Sequence, residues 1–195
     1  PKTPPFEIAI FFSGVERTLA GSAFNVRVDE LKAAAYALKG WSEMDYGKFE
    51  DTRLREVPLA VFEKYAERLP EHWSKRARHY YGEVARVKQG VEFWRQGNLK
   101  KFGKLIFESG YSSIHYYETG SEELRALYEL MLDTDGIYGG RFSGAGFKGC
   151  CMALVDPAKR DAIAQKMTTE YLRAFPNLQG KFSIHFCQTS DGVQL

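Results

Sequence analysis

The chain has 195 residues, 44% of them hydrophobic, which is enough for a real core and excludes a disordered chain. Its formal charge of +2 is too small to indicate nucleic acid or a membrane surface as a partner. No run of 18 apolar residues and no signal-like start occurs, and three cysteines, an odd number, are typical of a reduced protein. The composition therefore predicts a cytoplasmic globular protein.

The first part of the chain predicts one strand followed by helices. Residues 6–14, FEIAIFFSG, are a short apolar run ending in Ser-Gly and predict a buried strand. Residues 29–40 are rich in helix formers and close on a glycine, as helices often do. Residues 41–57 have no sustained period and predict a loop with a short helical turn. A further helix is expected between Pro58 and Pro70.

The middle of the chain is predicted to be entirely helical. Residues 74–98 form the longest candidate, because apolar side chains step by three and four along one face, namely Tyr80, Val84, Val87, Val91 and Trp94. Asn98 and Ser121 are good first residues for the next two helices, and two glutamates follow Ser121 where the helix dipole favours acids.

The last part predicts strand, strand, helix, strand. Strands are expected near 139–143 and 150–155, and Asp156 with a following proline starts a helix that runs to about Phe175. Residues 181–187 alternate apolar and polar side chains, which predicts a half-buried strand. With the helical insertion set aside, this order is a split βαβ pair. The predicted fold is α+β and ferredoxin-like, a four-stranded antiparallel sheet with helices on one face.

Residues 144–149, GAGFKG, fit the pattern GxGxxG, but their context excludes the usual nucleotide loops. A dinucleotide site needs a helix directly after the glycines, whereas residues 150–155 predict a strand. The chain also lacks the Lys-Ser/Thr ending of a Walker loop and the HRD and DFG motifs of protein kinases. Two interpretations remain: a turn without a ligand, or an anion-binding loop aided by the Ser143 hydroxyl and the charges of Arg141 and Lys148.

No other motif predicts a site. The basic and aromatic run at 75–81 is expected to be a solvated helix start, because the whole chain is nearly neutral. The histidines show no metal-ligand spacing and are interpreted as structural or surface residues, namely His72, His79, His115 and His185. No metal site is predicted.

Several segments, in the right order, resemble one family. Residues 136–155, GIYGGRFSGAGFKGCCMALV, resemble the third motif of the GHMP kinases, which include galactokinase, homoserine kinase, mevalonate kinase and phosphomevalonate kinase. Residues 10–38 are similar to a galactokinase segment in which a strand ending in Ser-Gly-Val leads into a helix, and residues 76–130 resemble the central helices of the same family. In amino-acid sequence, these segments are most similar to the galacturonokinase branch of the family. The resemblance implies that residues 1–195 are a GHMP kinase C-terminal domain.

This resemblance implies a sugar-1-kinase that transfers phosphate from ATP, with Mg²⁺, to the anomeric hydroxyl of galacturonate or galactose. The family's sugar-binding first motif, its Gly-Leu-Ser-Ser-Ala phosphate loop and its catalytic Asp are not in this sequence. The start at Pro1 suggests a piece of something longer, with an N-terminal domain missing. The chain alone is therefore expected to be inactive and to bind neither ATP nor Mg²⁺. The alternative is a non-catalytic sugar- or nucleotide-binding or interaction module of the same fold.

The resemblance also implies site residues. The segment expected to line the cleft beside the missing phosphate loop consists of Ser143, Gly144, Ala145, Gly146 and Phe147, with Phe147 expected to pack rather than to contact ligand. Phe24 stands where galactokinases carry a tyrosine that contacts the sugar, and a lost hydroxyl changes substrate discrimination. The alternative is that Phe24 belongs to the core. Arg17 and Arg141 are the candidate partners of a sugar carboxylate. No catalytic residue is expected in this chain.

Overall fold

The structure, a computed structural model, describes residues 3–15, 21–45 and 47–190. Its sheet has four antiparallel strands in the spatial order β2-β3-β1-β4 within those ranges. The strands are β1 (Glu7–Phe12), β2 (Ile137–Phe142), β3 (Cys150–Val155) and β4 (Ser183–Cys187). This is the strand order of a split βαβ pair, so the predicted α+β fold is confirmed.

Five helices of the described chain lie between β1 and β2, and a sixth joins β3 to β4. They are α1 (Gly21–Trp41), α2 (Leu59–Tyr65), α3 (Glu71–Arg95), α4 (Leu99–His115), α5 (Glu122–Leu132) and α6 (Arg160–Ala174). The segment predicted as a loop with a helical turn carries two short 3-10 turns, Phe49–Asp51 and Leu54–Glu56.

Helix α1 begins at Gly21, earlier than the predicted 29–40. The sequence of its first turns, GSAFNVRV, contains few strong helix formers, so propensity alone does not extend the helix this far. Tertiary contacts hold these first turns in the helix instead. Arg27 donates hydrogen bonds from Nε to the Tyr117 carbonyl at 2.9 Å and from Nη2 to the Glu118 carbonyl at 3.4 Å.

The predicted starts of the later helices are confirmed by their capping bonds. The side chain of Asn98 accepts a hydrogen bond from the backbone N–H of Lys101, and the Ser121 hydroxyl accepts one from Leu124. The Asp156 carboxylate caps the 3-10 turn before α6 in the same way. Each cap satisfies an N–H group that the helix itself leaves unpaired.

One face of the sheet is covered by α5 and α6, most completely at β1 and β3. Phe11 of β1 and Cys151 of β3 are completely buried there. The helices contribute Leu124, Leu127, Met131, Ile163, Met167 and Tyr171 to this core. Burial of each large apolar side chain stabilises the fold by roughly 1.5–3 kcal/mol. A second, smaller core joins α1, α2 and α3 around Leu38, Phe62 and Ala77, so the helical insertion carries its own apolar cluster.

The opposite face of the sheet is covered by α4 at the β2 edge. Gly103 of α4 and Gly139 of β2 lie back to back, and a Cβ atom on either would overlap the backbone of the other segment. Gly140, the next residue, faces Met131 of α5 instead. Since neighbouring strand residues point to opposite faces, α4 and α5 lie on opposite sides of β2. The expectation of helices on one face therefore holds for α5 and α6 only.

We expect Gly103→Ala to lower the free energy of unfolding by about 2–3 kcal/mol, because its methyl group must push α4 away from β2. Urea unfolding followed by circular dichroism measures this. Gly40→Ala in α1 is the matched control, because nothing lies within 4 Å of its Cβ position. That control should leave stability unchanged or raise it by up to about 1 kcal/mol. Equal stability of the two variants would contradict the close α4–β2 contact.

Candidate functional site

The glycine loop, residues 143–149, is the hairpin between β2 and β3. The Ser143 N–H donates to the Cys150 carbonyl at 2.9 Å and closes it. The loop glycines have φ angles of +73° at Gly144, +77° at Gly146 and +107° at Gly149. Side chains other than hydrogen are strained in this region, so the three glycines are required by the backbone path.

Two backbone hydrogen bonds anchor the glycine loop to the rest of the domain. The Gly146 carbonyl accepts from the Ser121 N–H at the start of α5, and the Gly149 carbonyl accepts from the Ser13 N–H after β1, both at 2.9 Å. Gly146 is buried, and a Cβ atom there would lie 2.6 Å from the Phe142 ring. The base of the loop is therefore a packed, fixed structure.

The tip of the glycine loop is exposed. Ser143, Gly144 and Ala145 face solvent, whereas Phe147 is half-buried. The N–H groups of Gly144 and Ala145 make no backbone hydrogen bond to any described residue. Backbone N–H groups that have no partner among the described residues, next to a hydroxyl, are donors of the kind that bind an anion such as phosphate.

The connection between α4 and α5, residues 116–121, is held by the guanidinium of Arg76, which is fully buried. Arg76 Nη1 donates to the Tyr116 carbonyl at 2.5 Å, and Nη2 donates to Glu118 Oε2 at 2.7 Å. Arg76 Nε donates to Glu30 Oε2 of α1 at 2.6 Å. Glu118 has a φ of +54°, which few side chains adopt, so this network holds the connection in a strained conformation.

Phe24 lies in the first turns of α1 and is 43% exposed. Arg27, one turn later, holds this part of α1 against the connection through its bond to the Tyr117 carbonyl. The connection in turn carries Ser121, which binds the glycine loop. The structure thus links Phe24 and the glycine loop through one short segment. Arg17, the other candidate of this region, lies outside the described residues.

Arg141 extends from the sheet toward α3 and α4. Its Nη1 donates to Ser109 Oγ at 2.5 Å and to Glu83 Oε2 at 3.4 Å. Its Nη2 lies 3.4 Å from Ser113 Oγ. The charge of Arg141 is therefore paired with Glu83 within the domain. The role of Arg141 in a sugar pocket stays a prediction.

His79 of α3 is a structural residue, consistent with its interpretation from sequence. Its Nδ1 lies 2.9 Å from Ser112 Oγ, and its ring stacks on Tyr117 with centroids 4.8 Å apart. Burial lowers the pKa of His79 to about 4, so the ring is neutral at pH 7.

Sequence analysis placed Arg76 in a solvated helix start at 75–81, which is wrong because its side chain is fully buried, and it did not single out Glu118. The sequence offered one hint of burial, namely that Arg76 directly precedes Ala77, a residue of the apolar core. Nothing in the sequence marks Glu118 as the partner of Arg76.

Two searches of the described residues bear on ligands and membranes. Residues 3–15, 21–45 and 47–190 contain no group of three or more histidine, cysteine or acidic side chains placed to hold a metal ion. No helix in these ranges is both long and apolar enough to cross a bilayer.

Known proteins match this chain over nearly its whole length. Residues 91–174 match the family described as "GHMP kinases C terminal". The chain is 42% identical over 199 residues to the galacturonokinase of Arabidopsis thaliana, covering 98% of this chain and 46% of that protein. It is 31% identical to a galactokinase of Roseiflexus sp. (strain RS-1), covering 99% and 47%. The structure of Lactococcus lactis galactokinase complexed with galactose superposes with a TM-score of 0.82 at 28% identity, covering 98% and 47%.

The four-stranded split βαβ sheet and its helices thus have the fold of the GHMP kinase carboxy-terminal domain. The chain belongs to the GHMP kinases, and within them it is galactokinase-like in sequence and fold, with galacturonokinase among its relatives. It spans about half the length of the curated relatives that it matches.

We expect the Arg76–Glu118 pair to make the free energy of unfolding depend on pH. The hydrogen bond from Arg76 lowers the pKa of Glu118 from 4.5 to about 2. A depressed folded-state pKa stabilises the fold above pH 4.5, and this contribution is lost as the pH falls from 4.5 toward 2. Glu118→Gln should therefore lower the free energy of unfolding by about 1.5–3 kcal/mol at pH 7 and by much less below pH 3.

Urea unfolding of wild type and variant at pH 7, 5, 4, 3 and about 2.5 measures this difference in the free energy of unfolding. Glu63→Gln, at an exposed position of α2, is the matched control and should track wild type at every pH. A difference between wild type and Glu118→Gln that stays constant from pH 7 to pH 3 would show that the carboxylate charge is not what holds the connection.

Proposed function

We propose that this chain is the carboxy-terminal part of an ATP-dependent sugar-1-kinase that phosphorylates galacturonate or galactose at the anomeric hydroxyl. The observation that carries the proposal is the glycine loop, with a fixed base and an exposed tip of backbone donors. Its support is the 42% identity to a galacturonokinase across 98% of the chain. We treat residues 1–195 as one domain of that kinase.

The glycine loop contributes positioned hydrogen-bond donors. Phosphoryl transfer depends mainly on positioning and on neutralising charge that builds up on the phosphate oxygens. Donors that are already oriented cost no rearrangement when that charge develops. The bonds from Ser121 and Ser13 to the loop hold its base, and Gly144 and Ala145, whose N–H groups bond to no described backbone group, are exposed residues of the same loop.

ATP and Mg²⁺ are the co-substrate and metal of the proposed reaction. The Ser143–Ala145 tip fits a phosphate group, because it offers donors and no acidic side chain. The described residues offer no cluster of metal ligands, so the ligands of Mg²⁺ belong in our proposal to the amino-terminal half. Mg²⁺ supplies charge neutralisation at the phosphates when bound. This chain supplies loop donors and a wall of the cleft.

The sugar is proposed to lie between the first turns of α1 and the glycine loop. Phe24 is exposed there and presents a ring without a hydroxyl, so it offers no hydrogen bond to a galactose hydroxyl group. A galacturonate carboxylate needs a cationic partner in a partly dry pocket. Arg141 already pairs with Glu83, which leaves Arg17 as the stronger candidate for this role.

We expect Ala145→Asp, in the protein that carries both halves, to lower kcat/KM by about 100-fold, because a carboxylate at the loop tip repels phosphate. Ala145 is exposed, so the melting temperature should not change. The assay uses ATP, Mg²⁺ and either galacturonate or galactose. Asn177→Asp, which adds the same charge on an exposed turn after α6, is the matched control and should be fully active.

Full activity of the Ala145→Asp variant would show that the glycine loop is a turn that binds no ligand. No turnover of either sugar by the wild-type protein would favour the other interpretation of the sequence, a binding module without catalysis.

We also expect the wild-type protein to prefer galacturonate to galactose, and Phe24→Tyr to narrow that preference by about 10-fold in kcat/KM, because the added hydroxyl restores a hydrogen bond to galactose. Steady-state kinetics with both sugars measures the ratio. Phe24→Leu, which removes the ring without adding a hydroxyl, is the control and should not improve galactose. A wild-type preference for galactose would refute the galacturonokinase branch and leave the broader kinase proposal standing.

A further inference from the structure

The helical insertion holds a cavity between α1 and the 3-10 turn Leu54–Glu56. Its volume is about 340 Å³, which is at the small end of the range for ligand pockets. Three aliphatic side chains line it, namely Val28 and Leu31 of α1 and the buried Leu54. We call this cavity the α1 pocket. Of the described residues that line it, none belongs to the glycine loop.

Tyr80 of α3 gives the α1 pocket an aromatic wall. The Tyr80 ring is half-buried and meets the Tyr81 ring edge-on, with centroids 5.2 Å apart. Packing of Tyr80 within the helical insertion therefore holds its ring in place. Aromatic side chains bind planar ligands by offset or edge-to-face contact. The interior of the pocket thus suits a planar or apolar group better than a bare ion.

Three cationic side chains line the α1 pocket, and no acidic side chain of the described chain does. They are Lys32, Arg53 and Arg55. The side chains of Lys32 and Arg55 form no ion pair and no hydrogen bond with any residue in the described ranges. Arg53 Nη1 donates to the carbonyls of Glu50 and Thr52 at 2.6 and 2.9 Å, which positions the guanidinium without neutralising its charge.

The carboxylate next to Arg55 in sequence is bonded to a different cation. Glu56 Oε2 accepts a hydrogen bond from Lys39 Nζ at 2.5 Å. The pKa of Glu56 is lowered mainly by Lys39 and to a smaller extent by Arg55. A neighbouring cavity shares Tyr80 and Arg55 with the α1 pocket and adds Lys88, again without an acid among its described lining. The mouth of the α1 pocket therefore carries an excess of positive charge.

We propose that the α1 pocket binds an aromatic monophosphate, which is a ligand with one planar ring and one phosphate group. The ring lies against Tyr80 in the apolar interior, and the phosphate lies at the mouth among Lys32, Arg53 and Arg55. A guanidinium group matches two phosphate oxygens at once, and a lysine adds a point charge.

Both parts of the ligand contribute to binding. Inorganic phosphate fills none of the apolar interior, and an uncharged ring gains nothing from the three cations. The site is argued from the cavity and its charges alone, so it does not depend on the kinase proposal.

Isothermal titration calorimetry on this 195-residue chain tests the proposal. The probes are adenosine monophosphate and phenyl phosphate, which share a ring and a phosphate and differ in the sugar between them. We expect the tighter probe to bind with a Kd on the order of 10–100 μM. Adenosine and inorganic phosphate are the half-ligand controls, and each should bind about 30-fold more weakly.

Charge variants show whether the phosphate lies at the mouth of the pocket. Lys32→Gln and Arg55→Gln should each weaken binding about 10-fold, because each removes a charged hydrogen-bond donor. Lys100→Gln, which removes the same charge at an exposed position of α4, is the matched control and should bind as wild type does. Val28→Phe fills the interior and should abolish binding, and circular dichroism checks that this variant still folds.

A variant of the glycine loop separates the two anion sites. Ala145→Asp repels phosphate at the loop tip and should leave the binding of adenosine monophosphate to this chain unchanged. Loss of binding in Ala145→Asp would assign the phosphate to the glycine loop instead.

Three further outcomes overturn the proposal. The first is the absence of binding of either probe at millimolar concentration. The second is wild-type affinity in both Lys32→Gln and Arg55→Gln, which would show that these cations do not contact the ligand. The third is equal affinity for inorganic phosphate and the two probes, which would show an anion site that takes no ring.

Discussion

The burial of one guanidinium group sets the geometry of the whole candidate site. A charge taken out of water is tolerated only when every donor finds a partner, and Arg76 meets Glu30 of α1 and Glu118 of the α4–α5 connection. That connection presents the Ser121 N–H to the Gly146 carbonyl. The ion pairs of the helical layer thus determine where the glycine loop stands at the end of the sheet.

The same network explains how the loop can be both rigid and open. Its base is held by backbone hydrogen bonds and by the Phe142 ring, and these contacts fix the positive φ angles of the glycines. Its tip has no such bonds to the described residues and keeps its donors for solvent or an anion. In the proposed kinase this division lets the loop present its donors without rearrangement, which is the condition for electrostatic stabilisation of a phosphoryl group.

Local signals in the sequence predicted the fold well, because caps and periodicity act within a few residues. Asn98, Ser121 and Asp156 were placed correctly for that reason. Long-range contacts were not predictable in this way. Arg76 binds groups 40 to 46 positions away, and the register of β2 turns Arg141 toward Met152 although it lies two residues before the loop. A single sequence does not encode such partners in its spacing.

Helix α3 shows a subtler limit of sequence analysis. Its apolar period identified the helix correctly, yet the stripe at Val87 and Val91 is exposed while Ala77 and Gly90 face the neighbouring helices. Periodicity shows that apolar side chains share one face of a helix, and it does not show which part of that face is covered. The period of α3 therefore predicts a helix correctly without telling which of its apolar residues are buried.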